Sequence, residues 1–364
     1  MLRQLRTNAE KVSKNLRNVR CKFSVEVRAT IPLAAKMPKG RGPTIHHRFN
    51  RTISAERFFG GAMLMLAQLV NALVIGTLYA LMSLGLSLIF GVLKLVNFAH
   101  GESLMVGGYL YVFLSGFFLS HSFGLPLPFA LLATMAAVFL FGLILEMIFL
   151  SPAYQRKAAR YDEYVILVTF ALGIFLQNLA LPLFGPYNRQ APAIFKGRIR
   201  IGDLIIAGDR LSAAVIAFLV IGALVFFLYR TYTGKGLRAV AQNPDAASIL
   251  GISVARMRGL AFGLGISLAG AAGALLGPIF LVSPVMGVPF AIKAFVIVVL
   301  GGMGSIKGTI IGAFILAIVE NFGSILLPDP TRALAYKDAY GLLLLVLTLL
   351  FRPQGMFGEK ERRA

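Results

Sequence analysis

The chain has 364 residues, 57% of them hydrophobic and only 14% charged, with a mean hydropathy of +0.78. Soluble globular chains carry about 25% charged residues, so this composition excludes an ordinary cytosolic enzyme. The 36 Lys and Arg against 15 Asp and Glu give a net +21, which on so apolar a chain marks loops facing anionic lipid rather than a nucleic-acid partner.

In chain order, residues 1–60 come first and carry 14 Lys and Arg against 3 acidic residues, a net +11. They contain no apolar run long enough to cross a bilayer and are read as a disordered basic extension. Three origins stay open for it: a solvated tail drawn to lipid, a stretch translated upstream of a native start at Met63 or Met65, and a targeting peptide. The only cysteine, Cys21, lies there, so no internal disulfide is possible.

A membrane domain is expected from residue 61 to 358, followed by a cytoplasmic tail, 359–364. A span needs about 20 apolar residues. Runs of that kind occupy roughly 62–93, 103–120, 128–150, 164–185, 211–229, 259–282, 309–327 and 339–351. Residues 290–304 are apolar but short and contain Lys293, which predicts a broken or re-entrant helix. The fold class is therefore all-α: a polytopic membrane protein of about eight transmembrane helices with one interrupted segment.

Cationic loops orient the chain, because Lys and Arg collect on the cytoplasmic side. Arg156, Lys157 and Arg160 form one group, Arg230, Lys235, Arg238, Arg256 and Arg258 a second, and Arg352, Lys360, Arg362 and Arg363 a third. All three are assigned inside. The loop Pro186 to Arg210 must then face out although it carries Arg189, Lys196, Arg198, Arg200 and Arg210, a misfit to the rule. The first run fits either one tilted pass or two, and a single pass places the basic extension outside.

The stretch Gly301-Gly302-Met303-Gly304-Ser305-Ile306-Lys307-Gly308-Thr309 has glycines like a phosphate cradle, but a P-loop needs Gly-Lys followed by Ser or Thr. No nucleotide site, metal-ligand spacing or catalytic triad is found, so no bond chemistry and no cofactor are expected on this chain. The block Asn97-Phe98-Ala99-His100-Gly101-Glu102 places ionisable groups between two apolar runs, where they are expensive. Gly101 is read as a break between helices, with Glu102 complementing the next helix start. Asn97, His100 and Glu102 are accordingly candidates for pathway lining or gating, or for a self-satisfied corner. Glu146, Gln177, Asn178, Lys293, Glu320 and Asn321 are further buried polar candidates. Gly263, Ser267, Gly270, Ala274 and Gly277 line one helical face suited to close packing within the chain or against another subunit.

The inner loop GKGLRAVAQNPDAASILG runs from Gly234 to Gly251. Pro244 and Asp245 start a short helix carrying Ala246 and Ala247, and Gly251 ends it. Ile249 and Leu250 together present an apolar face for a groove on a cytoplasmic protein.

Asp245-Ala246-Ala247 followed by Gly251 resembles the coupling loop of ABC-importer permeases, with Asp where Glu is commoner. Together with Gly76–Gly85 (GTLYALMSLG), the Asn97–Glu102 block, Leu300–Lys307 (LGGMGSIK) and Arg352–Gly358 (RPQGMFG), the span from about Met63 resembles the branched-chain amino acid permease family. Residues 1–60 fall outside that resemblance. It implies the ABC-importer permease fold in a bacterial inner membrane. It also implies half of a translocation path for leucine, isoleucine or valine, shared with a second permease of the same fold. Two cytoplasmic ABC ATPases would use the ATP, and a periplasmic solute-binding protein would deliver the substrate. Urea permeases of the same superfamily are similar, but often carry Met where Phe98 stands. Two rival readings remain: a transporter driven by an ion gradient through Glu146 or Glu320, and a membrane scaffold that moves no solute.

Overall fold

The computed structural model describes residues 44–120, 127–155, 160–195, 197–201, 204–323 and 330–358. The chain divides into two units, residues 1–60 and 61–364. In the first unit residues 44–60 are helical, where the sequence reading expects an unstructured extension. No Gly or Pro interrupts the chain between Pro43 and Gly60, so nothing there stops a helix once it starts. The rest of that extension and the tail 359–364 lie outside the described residues.

The helices follow the apolar runs. The first, α1 (Thr44–Leu93), has no break across Met65–Leu93, so the first run is one pass and not two. Next come α2 (His100–Ser120) and α3 (Leu127–Leu145), the latter continuing through a π-helical turn (Glu146–Leu150) into α4 (Ser151–Gln155). After α5 (Tyr161–Phe184) a two-stranded antiparallel hairpin intervenes, β1 (Arg198–Ile201) and β2 (Leu204–Ala207), the one sheet among the described residues. Then follow α6 (Gly208–Arg230), α7 (Tyr232–Gln242), α8 (Pro244–Ile249), α9 (Val254–Phe280), α10 (Gly287–Gly301), α11 (Ile306–Gly323) and α12 (Pro330–Phe351). Six of these segments are long and apolar enough to cross a membrane, α2 and α12 have comparable length, and α10 is the predicted short one.

Helices α1 and α9 form the core, with 83% and 89% of their membrane windows buried. Lipid offers no hydrophobic drive for helix association, so close approach through small residues replaces it. On the small-residue face of α9, Gly263 packs on Phe139 and Leu143, Gly270 on Val138, and Ser267 Oγ donates to Met135 O at 2.9 Å. All four partners lie on α3, so this face is covered within the chain.

The described parts of the cationic segments lie at one end. The Arg258 guanidinium stacks 3.6 Å from the Tyr154 ring and donates to the Tyr161 hydroxyl, joining the α4–α5 corner to the start of α9. The C-terminal segment pairs with the end of α10 through Met356 N–Leu300 O (2.9 Å) and Phe357 N–Gly301 O (3.0 Å). The loop Pro186 to Arg210 lies at the opposite end, bridged to the chain after α9 through Arg189 and Val282. Its misfit to the charge rule has a structural reason. Arg189 donates to Phe184 O (3.0 Å) and covers the Phe113 ring, while Arg210 donates to Asn71 Oδ1 (3.1 Å), so both cations brace the fold.

Candidate functional site

At the cationic end, Thr231 Oγ1 accepts from Gly234 N (3.0 Å) and caps α7, an amphipathic helix that the sequence reading leaves as loop. Leu237 and Val240 face inward from it at i and i+3, a pattern too short to stand out among glycines. Asn243 then accepts from both Asp245 N and Ala246 N (3.0 Å each) and caps α8. The helix ends in a Schellman arrangement: Ile252 N bonds Ala247 O and Gly251 N bonds Ser248 O, both at 3.0 Å. That closure requires a left-handed residue, supplied by Gly251 at φ +81°. Asp245, Ala246 and Gly251 are exposed, but Ala247 is buried against its own chain. Ile249 and Leu250, 87% and 79% exposed, project from the same small helix.

The Asn97–Glu102 block lies deep in the bundle. Lys94 ends α1 in a left-handed conformation (φ 59°), and the chain turns back so that His100 Nε2 bonds Met82 O at 2.9 Å. Met82 lies 11 residues before Leu93, so α2 starts about 16 Å back along α1. The break therefore falls at residues 94–99 and not at Gly101, which is helical. Gly101 instead permits contact with the start of α10, since a Cβ there would sit 2.2 Å from Gly287 O. Two helix starts thus meet back to back inside the bundle, and α10, with 15 residues, extends only about 22 Å. Gly101→Val is expected to cost about 1–3 kcal/mol by overpacking. A fall in the unfolding midpoint of the solubilised protein, absent for Gly222→Ala where no atom lies within 4 Å, checks this.

Asn97, His100 and Glu102 are each at most 6% exposed. Asn97 Oδ1 accepts from Ala99 N (3.0 Å), and the Glu102 carboxylate lies against Gly173 of α5. The residue of this block that reaches the surface is Phe98, 40% exposed, with its ring 5.5 Å from Phe295 and 6.5 Å from Phe170. Its backbone N–H donates to Thr169 Oγ1 at 3.3 Å.

The remaining polar candidates separate. Asn178 is exposed and folds its amide back onto Ile174 O (2.8 Å), so it is no buried ligand, and Gln177 is half-buried. Glu146 sits in the π-helical turn, buried against Gly259 beside Arg258. Lys293 and Glu320 form a direct ion pair between α10 and α11. Tyr79 Oη donates to Glu320 Oε2 (2.9 Å), Asp338 of α12 lies 2.7 Å from Lys293 Nζ, and Lys337 lies 3.9 Å from Glu320. Lys293 and Glu320 stand 27 residues apart, a spacing that gives no sign in the sequence that they pair.

A family model described as "Branched-chain amino acid transport system / permease component" matches residues 68–351. The chain belongs to this family. This permease is 32% identical over 306 residues to the high-affinity branched-chain amino acid transport system permease protein BraD of Pseudomonas aeruginosa, covering 81% of the one and 96% of the other. To LivH of Escherichia coli strain K12, a permease protein of a system with the same description, it is 30% identical over 311 residues, with the same coverage. A second permease protein of that organism, LivM, is 27% identical over 311 residues, covering 77% of this chain and 67% of LivM. The permease is thus a multi-pass membrane protein of a transport family.

Proposed function

We propose that this permease forms half of the translocation path of an ATP-driven importer for leucine, isoleucine and valine in a bacterial inner membrane. Its partners are a second permease of the same fold, two cytoplasmic ABC ATPases and a periplasmic binding protein. The observation that carries the reading is α8: a capped, rigid helix at the cationic end of the chain that exposes Ala246, Ile249 and Leu250 together. Exposed adjacent aliphatic residues at a water-facing end cost free energy unless another surface covers them. An ATPase groove is that surface, and Asp245 and Gly251 bound the inserted knob. The two BraD- and LivH-type relatives, named for branched-chain amino acid transport, supply the substrate class.

Asn97, His100 and Glu102 serve in this reading by holding the break between α1 and α2. Phe98, backed by Phe295 and Phe170, then presents an apolar wall to an aliphatic side chain. The chain itself performs no bond chemistry and uses no cofactor; ATP is spent by its partners. Co-reconstitution of the permease with the second permease, the ATPases and the binding protein in liposomes tests this. Labelled leucine should accumulate only with ATP on the ATPase side. Uptake by this chain alone driven by a proton or sodium gradient overturns the importer reading, and transport of urea but not leucine overturns the substrate class.

A further inference from the structure

At the cationic end a half-open cavity of about 60 Å³ lies between α1, α6, α7 and the turn that starts α11. Ser87, Gly91, Leu237, Arg238, Gly304 and Ile306 are among its walls. A buried water needs roughly 10–15 Å³ of such space, so there is room for a small polyatomic ion. Two polar atoms on the walls are buried without a partner, Ser87 Oγ and Arg238 Nε. Such atoms are uncommon in folded proteins, and each calls for an occupant or a reason.

Neither atom is orphaned by its local geometry. Several hydroxyls on the helices of this chain satisfy themselves on the preceding turn, as Thr77 does on Leu73 O, Ser103 on Ala99 O and Thr134 on Ala130 O, each at 2.8 Å. Ser87, on the same helix as Thr77 and only 1% exposed, does not, nor does Ser83 one turn before it, but of these two only Ser87 lines the cavity. The face of the Arg238 guanidinium is taken by the Tyr229 ring at 4.6 Å, which leaves its edge donors for something else. The third wall is the N-terminus of α11, an 18-residue helix whose first backbone N–H groups have no partner within the helix. Ser305 Oγ accepts from Gly308 N (3.2 Å) and satisfies one of them, and Ile306, at the cavity wall, is the first helical residue. A guanidinium edge, a hydroxyl and a helix start all favour negative charge with several acceptor oxygens. Among the described residues no acidic side chain lines the cavity, while Lys94 and Lys307, exposed at its two flanking chain turns, add positive charge.

We propose that this cavity binds a phosphoryl oxyanion, held by Arg238 Nε–H, Ser87 Oγ–H and the N-terminus of α11. The chemistry is shared by an anionic lipid headgroup and by free phosphate. An occupant ties α7 to α1 and α11, and α7 leads through Asn243 directly into α8, so it braces the stem of that helix. The site stands on geometry alone and does not depend on what the permease transports.

The full-length permease in a neutral detergent tests this in two arms. Native mass spectrometry follows retention of phosphatidylglycerol against phosphatidylcholine, and thermal unfolding follows inorganic phosphate against chloride at matched ionic strength. Wild type is expected to retain the anionic lipid selectively, to be stabilised by phosphate, or both; the first outcome alone assigns a headgroup and the second alone a free anion. Arg238→Gln should weaken binding by about tenfold, the scale of one charge-assisted hydrogen bond. Arg238→Lys should recover part of it, and Ser87→Ala, which removes only a hydroxyl, should weaken it by several-fold. Lys235→Gln, an exposed charge on the same helix, should leave binding unchanged. Equal losses in Arg238→Gln and Lys235→Gln mean general surface charge and overturn the proposal. So does unaltered binding in Ser87→Ala and Arg238→Lys together, or a wild type that neither retains the anionic lipid selectively nor is stabilised by phosphate.

Discussion

Replacing Glu320 with Ala is expected to destabilise the folded permease by about 3–5 kcal/mol, the usual effect of removing one partner from a buried ion pair. Glu320 has no exposed surface and receives Lys293, the Tyr79 hydroxyl and, at 3.9 Å, Lys337. Without it, two ammonium groups and a phenol share a cavity with only Asp338, whose side chain is 69% exposed and well screened. Asp338→Asn, by the same reasoning, should cost no more than about 1 kcal/mol. The double change Lys293→Met with Glu320→Leu should restore much of the loss, since apolar isosteres often replace a buried pair at little cost. Yield of monodisperse protein and its unfolding midpoint are the readouts. Equal behaviour of Glu320→Ala and Asp338→Asn would show that the pair does not hold α10 in place.

That pair also shows how far the sequence carries the fold. Span positions were legible because hydrocarbon thickness imposes a length on every apolar run, and α3, α5, α6 and α9 fall where their runs predict. The short segment containing Lys293 was legible as interrupted for the same reason. What it pairs with was not, because Glu320 reaches Lys293 through tertiary packing that no periodicity encodes. Gly101 illustrates a subtler limit. A glycine beside polar residues reads as a break, yet the break falls before it, at Lys94 to Ala99, and the glycine serves a backbone contact with Gly287 from a distant part of the chain. At the inner loop the caps at Asn243 and Gly251 act through local hydrogen bonds, so α8 was readable almost to the residue. The burial of Ala247 was not, because it depends on which side of a six-residue helix meets the rest of the chain.

This split between Ala246 and Ala247 sharpens the test of the coupling role. Charged residues at both positions would conflate docking with folding, because a charge at Ala247 enters this chain's own core and is destabilising whatever the partner does. Ile249→Ser with Leu250→Ser avoids that difficulty, since both side chains are largely exposed and contribute little to the isolated fold. If they form the docked knob, their loss removes an interface hot spot worth at least about 2 kcal/mol, and ATP-driven uptake should fall by more than about tenfold. The unfolding midpoint of the permease alone should be unchanged. Ala246→Glu should act in the same direction by placing an unpaired charge in an apolar groove. Gly251→Ala is weaker: space around its Cβ is open, so it costs only the left-handed conformation, about 1–2 kcal/mol, and loosens the cap that aims the knob. Uptake that survives Ile249→Ser with Leu250→Ser, in protein that still assembles with its ATPases, would remove α8 as the coupling element. Loss of assembly together with uptake would instead fix α8 as the attachment point, because the altered side chains touch little of their own chain.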